Sequence, residues 1–101
     1  MRHPVDGEAE VLFTDGLMLF YGRIRDIAEG GCYIETRARL RMKPGTNVSM
    51  LLRVNGKVFR TAASSRAVRR DKGAGFLFGA MNDETRELLG ELIAELEAAA
   101  R

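Results

Sequence analysis

The side chains best able to do chemistry are few and scattered. The only histidine, His3, lies near an N-terminus that we expect to be mobile, and the only cysteine, Cys32, is predicted to be a small core residue. A His-activated nucleophile needs its base within hydrogen-bond reach, and zinc needs three or four Cys, His or carboxylate ligands. Glu8 and Glu10 share one face of a predicted strand as a solvated pair. The sequence therefore predicts no catalytic residue and no metal site, and favours a binding module over an enzyme.

One loop, Asp26-Ile27-Ala28-Glu29-Gly30-Gly31, has a composition suited to binding. Ile24 and Ile27 are three positions apart, so a regular strand would point them to opposite faces. If both are buried, a bulge must lie between them, which frees the Asp26 carboxylate to face a ligand donor. Gly30 and Gly31 are expected to let the chain turn sharply and let a ligand approach the backbone.

Charge is distributed unevenly over the 101 residues. Residues 1–81 contain fourteen cationic and eight acidic side chains, a net +6, whereas residues 82–101 contain two and six, a net −4. A basic body favours an anionic partner. The longest apolar run, residues 17–21, is too short to cross a bilayer, and no secretory signal pattern is present, so we expect a cytoplasmic protein without membrane insertion.

Turn signals divide the first four-fifths of the chain into strand-like segments. Residues 47–54 alternate between apolar and polar side chains, and Asn55-Gly56 then supplies the dihedral angles of a tight hairpin. The predicted strands are 8–14, 17–27, 32–36, 47–54, 57–68 and 74–81. Six short strands at this spacing predict a small antiparallel barrel.

The last twenty residues predict an amphipathic helix. Asn82 is suited to cap it, and leucines recur on one face from Leu88 to Leu96. We expect this helix to cover a barrel opening; a helix that binds a partner is the alternative. The predicted organisation is one domain over residues 1–101, with a barrel over 1–81 and a helix over 82–101.

The segment from Gly22 to Ile34 resembles the second signature of the PilZ family, D/N-x-S-x-x-G. Asp26 and Gly31 match, and Ala28 stands where the family has serine. Later segments agree in order: Lys43-Pro44-Gly45-Thr46 before a strand, residues 73–78 as the last strand, then the leucine-rich helix. The resemblance implies an all-β fold with one C-terminal helix, a six-stranded antiparallel barrel, and cyclic di-GMP as the ligand, with no cofactor.

The resemblance also implies which residues bind. The family's first signature, R-x-x-x-R, precedes the first strand and contacts guanines and phosphates. Arg2 resembles its second arginine, and the first would precede Met1. The implied ligand-binding residues are Arg2, Arg25, Asp26, Ala28, Gly30 and Gly31. Arg23 and Arg25 are candidates for phosphate contact, with exposed strand arginines as the alternative.

The sequence is compatible with three functions. The favoured one is a bacterial signalling module that binds cyclic di-GMP and signals through a partner protein or a homodimer. Because of Ala28 and the absent arginine, its binding is expected to be ~2.5–4 kcal/mol weaker than that of a complete site. The second is a degenerate domain that has lost the nucleotide and acts as an adaptor in pilus or motility systems. The third is nucleic-acid binding through the cations of 37–43 and 66–72, which is disfavoured because rows of stacking aromatics are missing.

Overall fold

The computed structural model describes residues 1–14 and 18–100. Six antiparallel strands close into a barrel in the order β1-β2-β3-β6-β5-β4, and one helix follows. The elements are β1 (His3–Phe13), β2 (Leu19–Ala28), β3 (Gly31–Glu35), β4 (Asn47–Val54), β5 (Lys57–Arg69), β6 (Gly73–Phe78) and α1 (Asp83–Ala99). The six-stranded antiparallel barrel with a C-terminal helix is confirmed.

The hairpin between β4 and β5 forms as its sequence predicts. Side chains at alternate positions of β4 point into the barrel, and Val48 and Val54 at its two ends are both nearly inaccessible. Asn55 and Gly56 have φ angles of 51° and 76°, the left-handed values that a two-residue hairpin turn requires. Val54 is consequently paired with Lys57, and this register fixes the inward face of both strands.

The first strand begins five residues earlier than predicted, at His3 instead of Glu8. His3, Pro4 and Gly7 are paired with β2 but not with β4, and the register with β2 shifts between Pro4 and Gly7. This part of β1 is therefore an edge where Pro4 needs no backbone donor on its outer side. The prediction of a mobile terminus around His3 is wrong: its side chain is buried, and Nε2 lies 4.0 Å from the Glu97 carboxylate on α1.

The helix packs across one end of the barrel. Leu89, Leu92 and Ile93 belong to the same core as the barrel interior. The Asn82 side chain accepts from the Thr85 backbone N–H at 2.8 Å and so caps the helix as predicted. Lys57, next to the β4–β5 turn, donates to Glu95 at 2.8 Å, which places the helix at that end of the strands.

The opposite end is covered by the segment between β3 and β4. Leu40 and Met42 are buried in the core, so they fill this opening as the helix leucines fill the other. Ser65, which is fully buried, donates to the Lys43 carbonyl at 2.7 Å and also accepts from the Thr46 N–H at 3.0 Å. These bonds give the buried Ser65 hydroxyl both an acceptor and a donor partner.

We expect Leu92→Ala to lower the free energy of unfolding by about 2–5 kcal/mol, because it leaves a cavity at a fully buried position. Leu77→Ala is the control, since Leu77 is 45% exposed and its loss should cost less than about 1 kcal/mol. Urea unfolding followed by circular dichroism measures both. Equal losses would contradict packing of the helix into the core.

Candidate functional site

A bulge in β2 positions the residues of the candidate site. Ile24 and Ile27 are both fully buried, and the pairing with β3 shifts between Ile24 and Asp26. Arg25 is the extra residue, and it projects from the outer surface. The bulge that the Ile24–Ile27 spacing predicts is therefore confirmed. Its consequence is that Asp26 lies on the outside of the barrel, opposite Tyr33 of β3.

Asp26 and Arg2 meet although they are 24 positions apart. Nη1 of Arg2 donates to Oδ1 of Asp26 at 2.6 Å. The contact follows from the antiparallel register of β1 and β2, which pairs His3 with Ile27 and Pro4 with Asp26. The side chains of Arg2 and Asp26 are 55% and 30% exposed, so a molecule arriving from solvent can reach both groups.

Arg25 and Arg23 already have carboxylate partners. Arg25 donates twice to Glu35, from Nε at 3.2 Å and from Nη2 at 3.3 Å. Arg23 donates to Asp6 at 3.0 Å. Both arginines line an open groove of about 950 Å³ on the outer surface, whose lining does not include Arg2 or Asp26. Arg25 would have to release Glu35 before contacting a phosphate bidentately.

The two glycines of the loop differ in what they do. Neither has a left-handed φ angle, so the prediction that they permit a sharp turn is not supported as a conformational requirement. Gly31 is buried and pairs with Leu77, and a Cβ atom there would collide with the Phe76 carbonyl oxygen. Gly30 is exposed, and a Cβ atom there would meet open space. Gly31 therefore permits close approach of β6, while Gly30 leaves the surface beside Ala28 uncovered.

The architecture and motif agree with a comparison against protein families, in which the PilZ domain model matches residues 1–95. The chain belongs to the PilZ family. PilZ domains are receptor domains for cyclic di-GMP, which they bind as a ligand and not as a cofactor. No curated protein matches the chain.

Solved structures show the same fold at low identity. The PilZ domain of CeSA from a cellulose-synthesizing bacterium is 20% identical with a TM-score of 0.71, covering 96% of this chain and 98% of that one. The PilZ domain of YcgR from Escherichia coli with c-di-GMP is 19% identical with a TM-score of 0.73, covering 100% and 92%. MrkH of K. pneumonia in its apo state is 14% identical with a TM-score of 0.82, covering 99% of this chain but 50% of that one.

Cys32 lies on the inner face behind the PilZ motif. Its side chain is fully buried, as predicted for a core residue. Burial raises the pKa of the thiol to about 12, and the negative charge of Asp26 raises it further while Arg2 acts in the opposite direction. The thiol is therefore neutral at physiological pH and is not a nucleophile.

Sequence reasoning overlooked one residue beside the candidate site, Tyr33. Tyr33 is paired with Asp26 on one side and with Gly75 on the other, and it is partly exposed. Its neighbours Cys32 and Ile34 are fully buried, so alternation along β3 puts the ring on the outer surface. The alternation can be recognised in the sequence, and it places the Tyr33 ring next to the Asp26 carboxylate.

In residues 1–14 and 18–100, no three His, Cys, Asp or Glu side chains are grouped so that they could hold a metal ion. Over the same residues, no helix has the length and apolar character needed to span a bilayer.

Gly31→Ala should destabilise the domain by about 2 kcal/mol or more, because β6 would have to move away from the new methyl group. Gly30→Ala is the matched control one residue away and should change stability by less than about 0.5 kcal/mol. Thermal unfolding of the two variants tests this. A Gly30→Ala loss as large as that of Gly31→Ala would show that the turn itself requires glycine.

Proposed function

We propose that this PilZ domain binds cyclic di-GMP on the outer surface formed by Arg2, Asp26, Ala28, Gly30 and Gly31, and passes the signal to a partner protein. The observation that carries the proposal is the contact between Arg2 and Asp26. It joins an arginine of the first signature to the acid of the second in one accessible cluster. Arg25 has a peripheral role, since Glu35 holds it in the free protein.

The ligand offers complementary groups to both members of this pair. A guanine base presents O6 and N7 as acceptors to which an arginine can donate twice, and a phosphate can accept from a guanidinium in the same way. The Watson–Crick edge of guanine carries N–H donors, and an ionised carboxylate such as Asp26 is an acceptor. Arg2 can therefore bind acceptor groups of the nucleotide, and Asp26 can bind its N–H donors.

Releasing the ion pair costs little. Arg2 and Asp26 are both partly exposed, and pairs of this kind contribute about 0–1 kcal/mol in water. Each group then gains charge-assisted hydrogen bonds with the ligand, about 1.5–3 kcal/mol per good contact. In the free protein, the pair also holds Arg2 beside the site, so less side-chain entropy is lost on binding.

Gly30 and Tyr33 support the proposal from either side of Asp26. The open space at Gly30 lets a base or a sugar approach the backbone without a side chain in the way. The ring of Tyr33, beside Asp26 on β3, offers a surface for stacking with a base.

Titration calorimetry with cyclic di-GMP tests the proposal. Arg2→Ala and Asp26→Asn should each weaken binding about tenfold to a hundredfold, because each removes a charged contact. Arg53→Ala and Glu10→Gln are matched controls that should leave binding unchanged, since this pair also joins two strands, β1 and β4, through side chains of similar exposure, 48% and 30%. Absence of heat with folded protein at high micromolar concentration, or equal losses in all four variants, would refute the proposed site.

Ala28→Ser should tighten cyclic di-GMP binding by about fivefold, because it restores the hydroxyl of the family motif and a neutral hydrogen bond contributes about 1 kcal/mol. Ala28 is only partly buried, so the hydroxyl can be accommodated. The same substitution at Ala38, exposed in the β3–β4 segment, is the control and should leave affinity unchanged. No gain at position 28 would show that the ligand does not reach this side of the loop.

The second candidate function is a domain that has lost the nucleotide and acts as a protein adaptor. The presence of Ala28 in place of serine favours it. Recovery of a specific partner without nucleotide, undiminished by Asp26→Ala, would support the adaptor over the receptor. Either function would place the domain in the cytoplasm, and either is compatible with a homodimer. The adaptor would act in pilus or motility machinery, whereas the partner of the receptor is unidentified.

A further inference from the structure

The end of the barrel opposite the helix carries a dense set of cations. Leu40 and Met42 point into the core, so the arginines between and beside them point outward. The segment is fixed against the β5–β6 turn by two backbone hydrogen bonds, from Thr36 N to Lys72 O at 2.9 Å and from Leu40 N to Arg70 O at 3.1 Å. Two sequence-distant basic segments are thereby joined. We call this surface, residues 37–43 and 66–72, the basic end.

The basic end has almost no compensating charge. Its eight cationic side chains are all exposed and share the surface with one carboxylate, Asp71, which leaves a net +7. The eight are Arg37, Arg39, Arg41, Lys43, Arg66, Arg69, Arg70 and Lys72. Within residues 1–14 and 18–100, none of them has a carboxylate within 4.0 Å, whereas five cations elsewhere, including Arg53 and Lys57, do. An uncompensated field of this size favours an anionic surface.

Exposed aliphatic side chains lie at the same end. Leu12 is paired with Leu19, and they are 37% and 48% exposed; Met18, beside Leu19, is 42% exposed. We call these three residues the apolar rim. Leu19 lines the same outer groove as Arg37, so the rim and the basic end are neighbours. The backbone N–H of Thr14 donates to Asn47 O at 3.4 Å. This bond joins the end of β1 to the first residue of β4, which directly follows the β3–β4 segment.

We propose that the basic end and the apolar rim together bind the surface of an anionic phospholipid membrane. Cations attract acidic headgroups, arginine in particular can donate twice to a phosphate, and aliphatic side chains enter the boundary between headgroups and acyl chains. The membrane is bound peripherally and is not crossed.

The observations favour a membrane over two other anionic partners. A nucleic acid would use the cations, but Leu12, Met18 and Leu19 have no counterpart in a phosphodiester backbone. Residues 37–43 and 66–72 also include no aromatic side chain on which a base could stack between the cations. A specific protein partner is usually positioned by charges of both signs across the interface, whereas the side chains of the basic end are almost all positive. A diffuse anionic surface with an apolar layer beneath it matches both features.

The orientation that follows leaves the rest of the domain accessible. The helix, with six acidic residues and one arginine, lies at the far end of the strands, away from a negatively charged surface. The pairing of His3 with Ile27 places Arg2 and Asp26 toward the helix end as well. The proposal does not depend on nucleotide binding, and it can be tested without the nucleotide.

Sedimentation with unilamellar vesicles tests it on the full chain. Vesicles with about 30% phosphatidylglycerol in phosphatidylcholine should retain the protein, vesicles of phosphatidylcholine alone should not, and raising salt from about 0.1 M to about 0.5 M should release most of it. Equal retention by both vesicles, or no retention by anionic vesicles at low salt, would overturn the proposal. So would retention on duplex DNA that is stronger than on the anionic vesicles.

Two matched variant pairs separate this surface from net charge and stability. Arg39→Ser/Arg41→Ser should weaken vesicle binding about thirtyfold, while Arg60→Ser/Arg86→Ser, with the same change in net charge, should weaken it less than about threefold. Leu19→Ser should weaken binding severalfold, and Leu77→Ser, at 45% exposure on the other end, should not. Circular dichroism confirms that each variant is folded, and equal effects within either pair would refute the assignment of the surface.

Discussion

Burial of both Ile24 and Ile27 forces an extra residue into β2, and much of the outer surface depends on that extra residue. In a regular strand with Ile24 facing the core, Asp26 would also face the core and Ile27 would face solvent. With it, Ile27 faces the core, Arg25 turns toward Glu35, and Asp26 turns toward the start of β1. The acidic residue of the PilZ motif thus owes its position to the packing of two isoleucines, not to any property of the carboxylate.

Closure of the barrel imposes a second constraint, since each open end must be filled by a segment outside the strands. The helix fills one end with Leu89, Leu92 and Ile93, and the β3–β4 segment fills the other with Leu40 and Met42. The helix and the β3–β4 segment each have one side that faces the core, so their polar side chains lie together on the side that faces solvent. The helix presents acids and the segment presents arginines, which gives the two ends of one small domain opposite charge.

The sequence was most informative where one local rule decided the structure. Alternation in β4, Asn55-Gly56 and the Asn82 cap each specify their geometry within a few residues, and all three are confirmed. The beginning of β1 was misplaced because its pairing is one-sided and depends on β2, which lies 24 residues away. Leu17, the predicted first residue of β2, lies outside the described residues, and the strand begins at Leu19.

The candidate site was predictable as a set of residues but not as a set of contacts. The motif identified Asp26 and Gly31, whereas the structure adds that Gly31 makes room for β6, that Gly30 borders open space and that Tyr33 adjoins Asp26. The pairing of Arg25 with Glu35 depends on the bulge and on the β2–β3 register together, which no local pattern encodes. Contacts of this kind require the closed barrel.

The two surfaces also constrain how a signal can travel through the domain. β2 runs from the apolar rim at Leu19 to the candidate site at Asp26 and is hydrogen-bonded to a neighbour on each side. Coupling between distant sites needs an element that can adopt two discrete arrangements. β2 is held on both edges in a closed barrel, so it has only one arrangement. Under the two proposals, membrane contact would therefore localise the domain, while the nucleotide would act on the elements near Asp26. These are the start of β1, the β2–β3 turn and, through His3 and Glu97, the helix. Under the receptor function proposed above, the helix is therefore the surface on which a partner protein would detect the ligand.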